Sequence, residues 1–308
     1  MKPADRRLGD ALDRLYRNFN LAGSAADPIH VVRHYQKPAD QEIAGFCAAA
    51  LAFGRVASVI EIVERLLAVM GPSPAAWVRQ FEPARETRTF AGISHRWIRG
   101  RDVSALLWVL RHMLESSGTV EQFFLAGYDS AAPDVGAAIE SFCARALAVD
   151  LRPVYGRVPA RPGVRYFFPR PSDGSACKRL NLYLRWMVRR DALDLGAWTG
   201  VSPAQLIVPL DTHVIRAGRA LGLTALRSPG WRMAAEITAA LRRFDAADPV
   251  RFDFSLCHIG MERGCGFDGT CGDDACPLRG FCGPAATTAA AGRAARRRRA
   301  FRQPSARR

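Results

Sequence analysis

Helical spacing of apolar side chains is the pattern that most restricts the fold of this chain. Apolar residues recur every three or four positions over eight stretches, and Gly or Pro stands at most junctions, as is typical of amphipathic helices joined by turns. The stretches are 9–19, 40–70, 103–116, 120–126, 135–148, 178–188, 212–221 and 231–244. No convincing set of alternating apolar and polar residues competes with this pattern. The sequence therefore predicts an all-α protein.

A second constraint comes from cysteines near the end of the chain. Four of them fall within 18 residues, namely Cys265, Cys271, Cys276 and Cys282. The segments between them are too polar and too rich in Gly and Asp to be buried in a core, and four free thiols in such a loop would be exposed to oxidation. The spacing predicts a four-cysteine metal loop that holds iron–sulfur or zinc.

The remaining cysteines are expected to be buried thiols. The chain begins with mixed charges and no apolar signal core, and it has no run of about 18 apolar residues that would cross a membrane. We therefore expect a cytoplasmic protein with no membrane contact, and cysteines in that reducing compartment bind metals more often than they pair. Cys257 lies on an apolar helical stretch, which favours burial over metal ligation.

Charge indicates the class of partner. The formal net charge is +15, and the segment 283–308 contributes eight arginines and no acidic residue, so the rest of the chain is also basic. A positive body with an arginine-rich end suits a phosphate backbone. We expect 284–308 to be a disordered basic tail, which could contact nucleic acid or only increase solubility.

Two helix starts carry residues suited to chemistry. Lys178 follows a Gly-Ser turn at Gly174 and Ser175 and lies in the first turn of a predicted helix, where the positive helix end disfavours an ammonium ion. Asp211 precedes another predicted helix, so its carboxylate is expected at the N-cap. If the two helices pack as neighbours, both side chains project into one cleft. Asp211 could also be only a cap, and Lys178 only a solvated lysine.

These two segments resemble the helix-hairpin-helix DNA glycosylase superfamily, which includes endonuclease III and the 8-oxoguanine glycosylases. The resemblance lies in Lys178 with Asn181 and Leu184 at three-residue spacing, and in the later Pro-Leu-Asp-Thr-His-Val segment around Asp211. The cysteine cluster falls where endonuclease III keeps an iron–sulfur loop. Its last gap, Cys276 to Cys282, has the five intervening residues of that family.

The resemblance implies a bifunctional DNA glycosylase and abasic-site lyase that acts on double-stranded DNA as a nucleoid-associated monomer. Lys178 would form the Schiff base, Asp211 would stand at the catalytic helix start, and the loop would hold a [4Fe-4S] cluster, with zinc as the alternative. The spacing of 33 positions from Lys178 to Asp211 resembles that of the archaeal 8-oxoguanine enzymes, which points to an oxidised purine. The residues expected to contact DNA are Phe53, Arg55, Gly174, Ser175 and Arg179.

The same resemblance implies two helical subdomains with a central DNA-binding cleft. One is a helical barrel over 40–177, and the other combines 1–39 with 178–283 and carries the cysteine loop. Four phrases, which begin at Asp40, Gly174, Leu206 and Asp248, also resemble a bacterial family of proteins of unknown function. That second resemblance covers almost the whole chain to Gly283.

Departures from the glycosylase pattern keep other interpretations open. The hairpin reads Gly174-Ser175-Ala176-Cys177, so the second glycine that lets backbone amides approach a phosphate is absent. This favours a non-catalytic DNA- or RNA-binding protein of the same fold, and a zinc-stabilised helical protein is a third possibility. The segment SHRWIRGR around Trp97 could stack on nucleic acid or be a solvated basic loop.

Overall fold

The structure is a computed structural model that describes residues 3–21, 23, 27–262, 265–267 and 275–282. Helices make up most of these ranges. The α-helices are α1 (Pro3–Phe19), α2 (Ile29–Val32), α3 (Pro38–Ala50), α4 (Val56–Met70), α5 (Pro74–Arg79), α6 (Pro83–Glu86), α7 (Gly100–Ser117), α8 (Val120–Leu125), α9 (Gly136–Leu147), α10 (Arg152–Tyr155), α11 (Lys178–Val188), α12 (Thr212–Ala220), α13 (Trp231–Leu241) and α14 (Asp253–Glu262).

Short elements fill several of the connections. The 3₁₀ helices are Thr87–Phe90, Gly163–Phe167, Pro171–Asp173, Pro203–Gln205 and Pro249–Phe252. Strands β1 (Ser94–His95) and β2 (Ile98–Arg99) pair antiparallel as a small hairpin. The prediction of an all-α protein is thus confirmed in its coarse form. No helix in the described ranges is long and apolar enough to cross a membrane.

One predicted stretch, 40–70, is divided into two helices. The backbone leaves the helical conformation after α3, and Gly54 has φ of +107°, a value that side chains with a Cβ rarely adopt. The carbonyl of Phe53 accepts a hydrogen bond from Nε2 of His95 at 2.8 Å instead of continuing a helix. The break places Phe53 and Arg55 in a loop rather than on a helix face.

Helices α3 and α11 pack closely through the centre of the protein. A Cβ added to Gly45 would lie 2.8 Å from Cε of Met187, so the absence of a side chain at Gly45 lets the two helices approach closely. Phe46 meets Tyr183 edge to face with ring centroids 5.0 Å apart, and both rings are buried. This contact fixes α11, and therefore its first residue, against the break that follows α3.

Helix α12 packs on α14, which also contacts α1. His213 lies over Gly260, where an added Cβ would stand 2.5 Å from Nδ1 of the ring. The small residue allows the first turn of α12 to approach α14. The start of α12 is thereby held near the middle of α14.

A buried carboxylate joins α3 to two further segments. Glu42 on α3 accepts hydrogen bonds from the amide of Glu121 at 2.9 Å, the amide of Val120 at 3.2 Å and Nε1 of Trp198 at 2.7 Å. These bonds satisfy orphan amides at the start of α8. Burial nevertheless raises the pKa of Glu42, because the hydrogen bonds only partly offset the lost hydration.

Candidate active site

Lys178 begins α11, as the sequence predicts, and the turn before it is fixed by local contacts. Cys177 has a left-handed backbone with φ of 48° and ψ of 34°, and its amide donates to Oγ of Ser175 at 3.1 Å. Nδ2 of Asn181 donates to the carbonyl of Ala176 at 3.0 Å. The position of the Lys178 Cα is therefore determined by the turn and not only by the helix.

Asp211 is the N-cap of α12, as predicted. Its Oδ1 accepts from the amide of His213 at 2.9 Å and from the amide of Val214 at 2.8 Å. Its Oδ2 accepts from the thiol of Cys257 on α14 at 2.8 Å. Both carboxylate oxygens are therefore held in place, one by the helix start and the other by a side chain from a neighbouring helix.

Lys178 and Asp211 line one cleft with a volume of about 510 Å³. The starts of α11 and α12, the segment Ala52–Gly54 and the inner face of α14 enclose this cleft, so the expected juxtaposition of the two helix starts is present. Its wall also includes Arg185, Asp253 and Cys257. We call this space the lysine–aspartate cleft.

A second recess of about 220 Å³ adjoins the first on the other side of Lys178. It is lined by Phe53, Tyr166, Cys177 and Arg179 among others. Phe53 and Lys178 line both spaces, so they form the wall between them. The lysine amine can thus be approached from an aromatic side and from a carboxylate side.

Buried ionisable groups surround the lysine–aspartate cleft. Burial, followed by the adjacent Asp211 carboxylate, raises the pKa of the Cys257 thiol well above its usual value, so the thiol remains a hydrogen-bond donor at neutral pH. Burial raises the pKa of Asp253 to about 7, although the Arg185 guanidinium opposes the shift. In the described ranges, Oδ1 of Asp253 and Nη2 of Arg185 have no hydrogen-bond partner.

The residues predicted to contact DNA occupy different surroundings. Gly174 and Arg55 are exposed, and Ser175 and Phe53 are half-buried. Arg179 is turned inward: its guanidinium donates to the carbonyls of Ala50 and Tyr166 and lies 3.5 Å from the Tyr166 ring centroid. Burial lowers its pKa to about 10. A DNA contact by any of these residues stays a prediction.

Three of the four predicted metal ligands belong to the described ranges, whereas Cys271 lies outside them. Cys265 and Cys276 are buried and Cys282 is half-buried. Their thiols suit a thiolate-bound group in donor chemistry. Within the ranges given above, however, no three His, Cys, Asp or Glu side chains form a set that could hold a metal ion. The fit of the four-cysteine loop therefore depends on Cys271.

Sequence reasoning missed the thiol of Cys257, which it predicted only to be buried. Cys257 and Asp211 are 46 positions apart, and their contact arises from the packing of α12 on α14. No local pattern identifies such a pair. The hairpin of β1 and β2 was also missed as an element, because two-residue strands are too short to show alternation.

The fold and the cleft define a mostly helical protein in which two helix starts bring a lysine and a capped aspartate to one space. Residues 27–262 match DUF2400, a family of proteins of unknown function, and the chain belongs to this family. No curated protein and no solved structure matches the chain.

Proposed function

We propose that the protein is a DNA glycosylase with abasic-site lyase activity, built on a helix-hairpin-helix fold. The observation that carries the proposal is that Lys178 and Asp211 line the same cleft. A lysine amine and a fixed carboxylate are the two groups that this reaction requires. An oxidised purine in double-stranded DNA is the substrate class that we consider first.

The amino-acid usage of the chain supports a chemical role for Lys178. The chain has 44 lysine and arginine residues, of which only Lys2, Lys37 and Lys178 are lysines. Arginine binds phosphates and pairs with carboxylates, but its guanidinium does not lose its proton in proteins. A nucleophilic amine must be neutral, and lysine can meet this requirement. In such an arginine-rich chain, a lysine at the cleft is the residue suited to nucleophilic attack.

The proposed chemistry takes place at C1′ of the deoxyribose. Neutral Nζ of Lys178 attacks C1′ while the bond from C1′ to the base breaks and the electron pair leaves with the base. Positive charge develops on the sugar during this step, and the carboxylate of Asp211 stabilises it. The nitrogen then loses a proton to the departing base, and cleavage of the bond from C1′ to O4′ with protonation of O4′ opens the sugar and gives a Schiff base. Removal of a proton from C2′ then expels the 3′ phosphate by β-elimination and cleaves the strand.

Cys257 acts as a positioning residue in this proposal. Its thiol donates to Oδ2 of Asp211 at 2.8 Å, while two backbone amides donate to Oδ1. The carboxylate is therefore held in one orientation before substrate binds, which lowers the cost of reorganisation during the reaction.

The DNA would lie between two subdomains, 40–177 on one side and 1–39 with 178–283 on the other. The formal net charge of +15 supports a polyanionic partner. Arg55 and Gly174 are exposed near the cleft and can approach a phosphate backbone. We propose that the protein acts as a monomer at the nucleoid.

The four cysteines are proposed to hold a [4Fe-4S] cluster through Cys265, Cys271, Cys276 and Cys282, with zinc as the alternative. Such a group would cross-link this segment of the chain, and it would not need to take part in base excision. Metal analysis and the absorption spectrum of the purified protein distinguish the two: iron with visible absorption supports the cluster, and zinc without it supports the alternative.

A non-catalytic nucleic-acid-binding protein is the second candidate. The hairpin has Ala176 where the resembled family has its second glycine, and Ala176 is half-buried and lines the second recess. The side chain occupies space beside the backbone amides that a glycine would leave open to a phosphate. This weakens the expected binding of DNA by the hairpin. Binding without turnover would favour this candidate.

Borohydride trapping tests the proposal. The protein is mixed with duplexes that carry oxidised, deaminated, alkylated or abasic sites, and the Schiff base is reduced to a stable amine. We expect a covalent adduct on one lesion that is lost in Lys178→Gln and strongly reduced in Asp211→Asn. Lys37→Gln is the matched control, because Lys37 is exposed and does not line the cleft.

The possible outcomes separate the candidates. An adduct that persists in Lys178→Gln or disappears in Lys37→Gln contradicts the role of Lys178. An adduct at abasic sites alone leaves a lyase without glycosylase activity. If the protein binds DNA but no duplex forms an adduct, the binding protein becomes the better conclusion.

A further inference from the structure

The hairpin of β1 and β2 exposes an aromatic side chain at its turn. The strands pair Ser94 with Arg99 and His95 with Ile98, which leaves Arg96 and Trp97 as the two turn residues. Arg96 has φ of 53°, in the left-handed region. Trp97 is 53% exposed. A tryptophan with half its surface in water is unusual enough to require an explanation when it belongs to a larger aromatic group.

Hydrogen bonds hold the hairpin in place, although each strand has only two residues. The buried imidazole of His95 is bonded through Nε2 to the carbonyl of Phe53 at 2.8 Å. Nη1 of Arg99 donates to Oγ of Ser94 at 2.7 Å and to the carbonyl of Arg96 at 2.6 Å, which ties one strand to the other. The position of Trp97 is thus set by contacts on both sides of the turn.

Trp97 is the outer member of an aromatic cluster. Its ring stacks on Phe53 with centroids 5.1 Å apart and planes 20° apart, and it meets Tyr166 edge to face at 5.1 Å. Arg179 lies over the other partner, 3.5 Å from the Tyr166 centroid. The inner rings and the guanidinium support Trp97 from below and leave part of its ring exposed to solvent.

The cluster adjoins Lys178 through Phe53, which lines both the lysine–aspartate cleft and the second recess. The surface around it is positive. Arg55, Arg96 and Arg99 are exposed, and neither 91–101 nor 52–60 contains an acidic residue. The guanidinium of Arg96 reaches the backbone at Gly54, where an added Cβ would lie 3.1 Å from its Nε.

We propose that Trp97 is a stacking platform for an unpaired base of a DNA strand bound at the cleft. The exposed ring supplies the surface on which a base stacks, and the three arginines supply charge for the adjacent phosphates. The inference rests on the proposed function for its partner, DNA, but it concerns binding and not bond cleavage. An intact duplex has no unpaired base to offer, so the platform discriminates between distorted and intact DNA.

Equilibrium binding of the full chain to labelled oligonucleotides tests this inference. The probes are a duplex with a tetrahydrofuran abasic analogue, which leaves one base unpaired and cannot form a Schiff base, and the matching intact duplex. We expect Trp97→Ala to weaken binding to the first duplex about 5- to 100-fold, in line with the loss of one stacked base, and binding to the second less than about 2-fold. Trp97→Phe, which keeps an aromatic face, should restore most of the affinity.

Val158→Ala is the control, because Val158 is an exposed apolar residue that does not line either space. Equal affinities for wild type and Trp97→Ala overturn the proposal, and so does an equal loss on both duplexes. A wild-type protein that binds neither duplex also overturns the proposal, because Trp97 then has no DNA base on which to act.

The two proposals can fail separately. A Trp97 effect in a protein that never forms a borohydride adduct supports the platform and contradicts the glycosylase. An adduct through Lys178 without a Trp97 effect does the reverse.

Discussion

The two ends of α11 hold their positive charges in opposite ways. At the C-terminal end, Arg185 forms ion pairs with Asp194 at 3.2 Å and Asp253 at 2.7 Å, and all three side chains are buried. Arg189 continues the network to Asp194, Asp191 and Asp248. At the N-terminal end, Lys178 is half-buried and makes no ion pair with any residue that the structure describes.

Along this one helix, the charges at the C-terminal end stabilise the fold, and the charge at the N-terminal end is available to a ligand. Buried charges that are paired and hydrogen-bonded hold neighbouring elements in register, but they cannot react without leaving an uncompensated partner. A cation without an ion-pair partner contributes little to folding and remains available to a ligand. The helix is therefore anchored by its C-terminal end and presents its N-terminal residue to the cleft.

The largest effect is expected when the buried ion pairs at the C-terminal end of α11 are removed. Arg185→Met leaves Asp194 and Asp253 with less compensation in the interior and should lower the free energy of unfolding by about 3–5 kcal/mol. Lys178→Met removes no ion pair from the described structure and should change it by no more than about 0.5 kcal/mol. Urea denaturation at neutral pH measures both.

A double variant tests whether the loss of stability comes from the uncompensated carboxylates. If the uncompensated carboxylates cause it, Arg185→Met combined with Asp253→Asn should be more stable than Arg185→Met alone, because one buried charge is removed with its partner. Equal losses in Arg185→Met and Lys178→Met would contradict the comparison between the two ends of α11.

Some parts of the candidate site could be predicted from the sequence and others could not. The starts of α11 and α12 could be located because caps and turns are local: Gly174 and Asp211 signal them within a few residues. The break after α3 could not, since it depends on the bond from His95 to the carbonyl of Phe53, 42 positions away. The pairing of Asp211 with Cys257 is likewise a product of packing.

Cys177, at the N-terminal end of α11, should make the free energy of unfolding depend on pH. Burial raises the pKa of Cys177 to about 12, although a helix start usually lowers it. The folded pKa lies above the unfolded value of about 8.5, so the unfolded chain loses this proton first. The stability that Cys177 contributes is present below about pH 8.5 and is lost as pH rises towards the folded pKa of about 12.

We therefore expect wild type to lose about 2 kcal/mol more than Cys177→Ala between about pH 8 and pH 10. The free energy of unfolding of both proteins at the two pH values gives the difference directly. The same loss in both proteins would show that Cys177 ionises as readily in the folded state as in the unfolded chain.

The smallest effect concerns Asp211, and it separates the two roles of that residue. Asp211→Ala removes the cap from the amides of His213 and Val214 and should cost about 1 kcal/mol, whereas Asp211→Asn keeps an accepting oxygen and should cost less than about 0.5 kcal/mol. If Asp211 serves only as a cap, Asp211→Asn should also form the borohydride adduct at the wild-type rate. A carboxylate that stabilises positive charge on the sugar predicts a stable Asp211→Asn protein with a rate reduced by at least about 100-fold. The amide keeps the shape and the capping oxygen of the carboxylate but replaces the oxygen that accepts from the Cys257 thiol, so such a split between stability and reactivity reports the loss of the charge together with that contact.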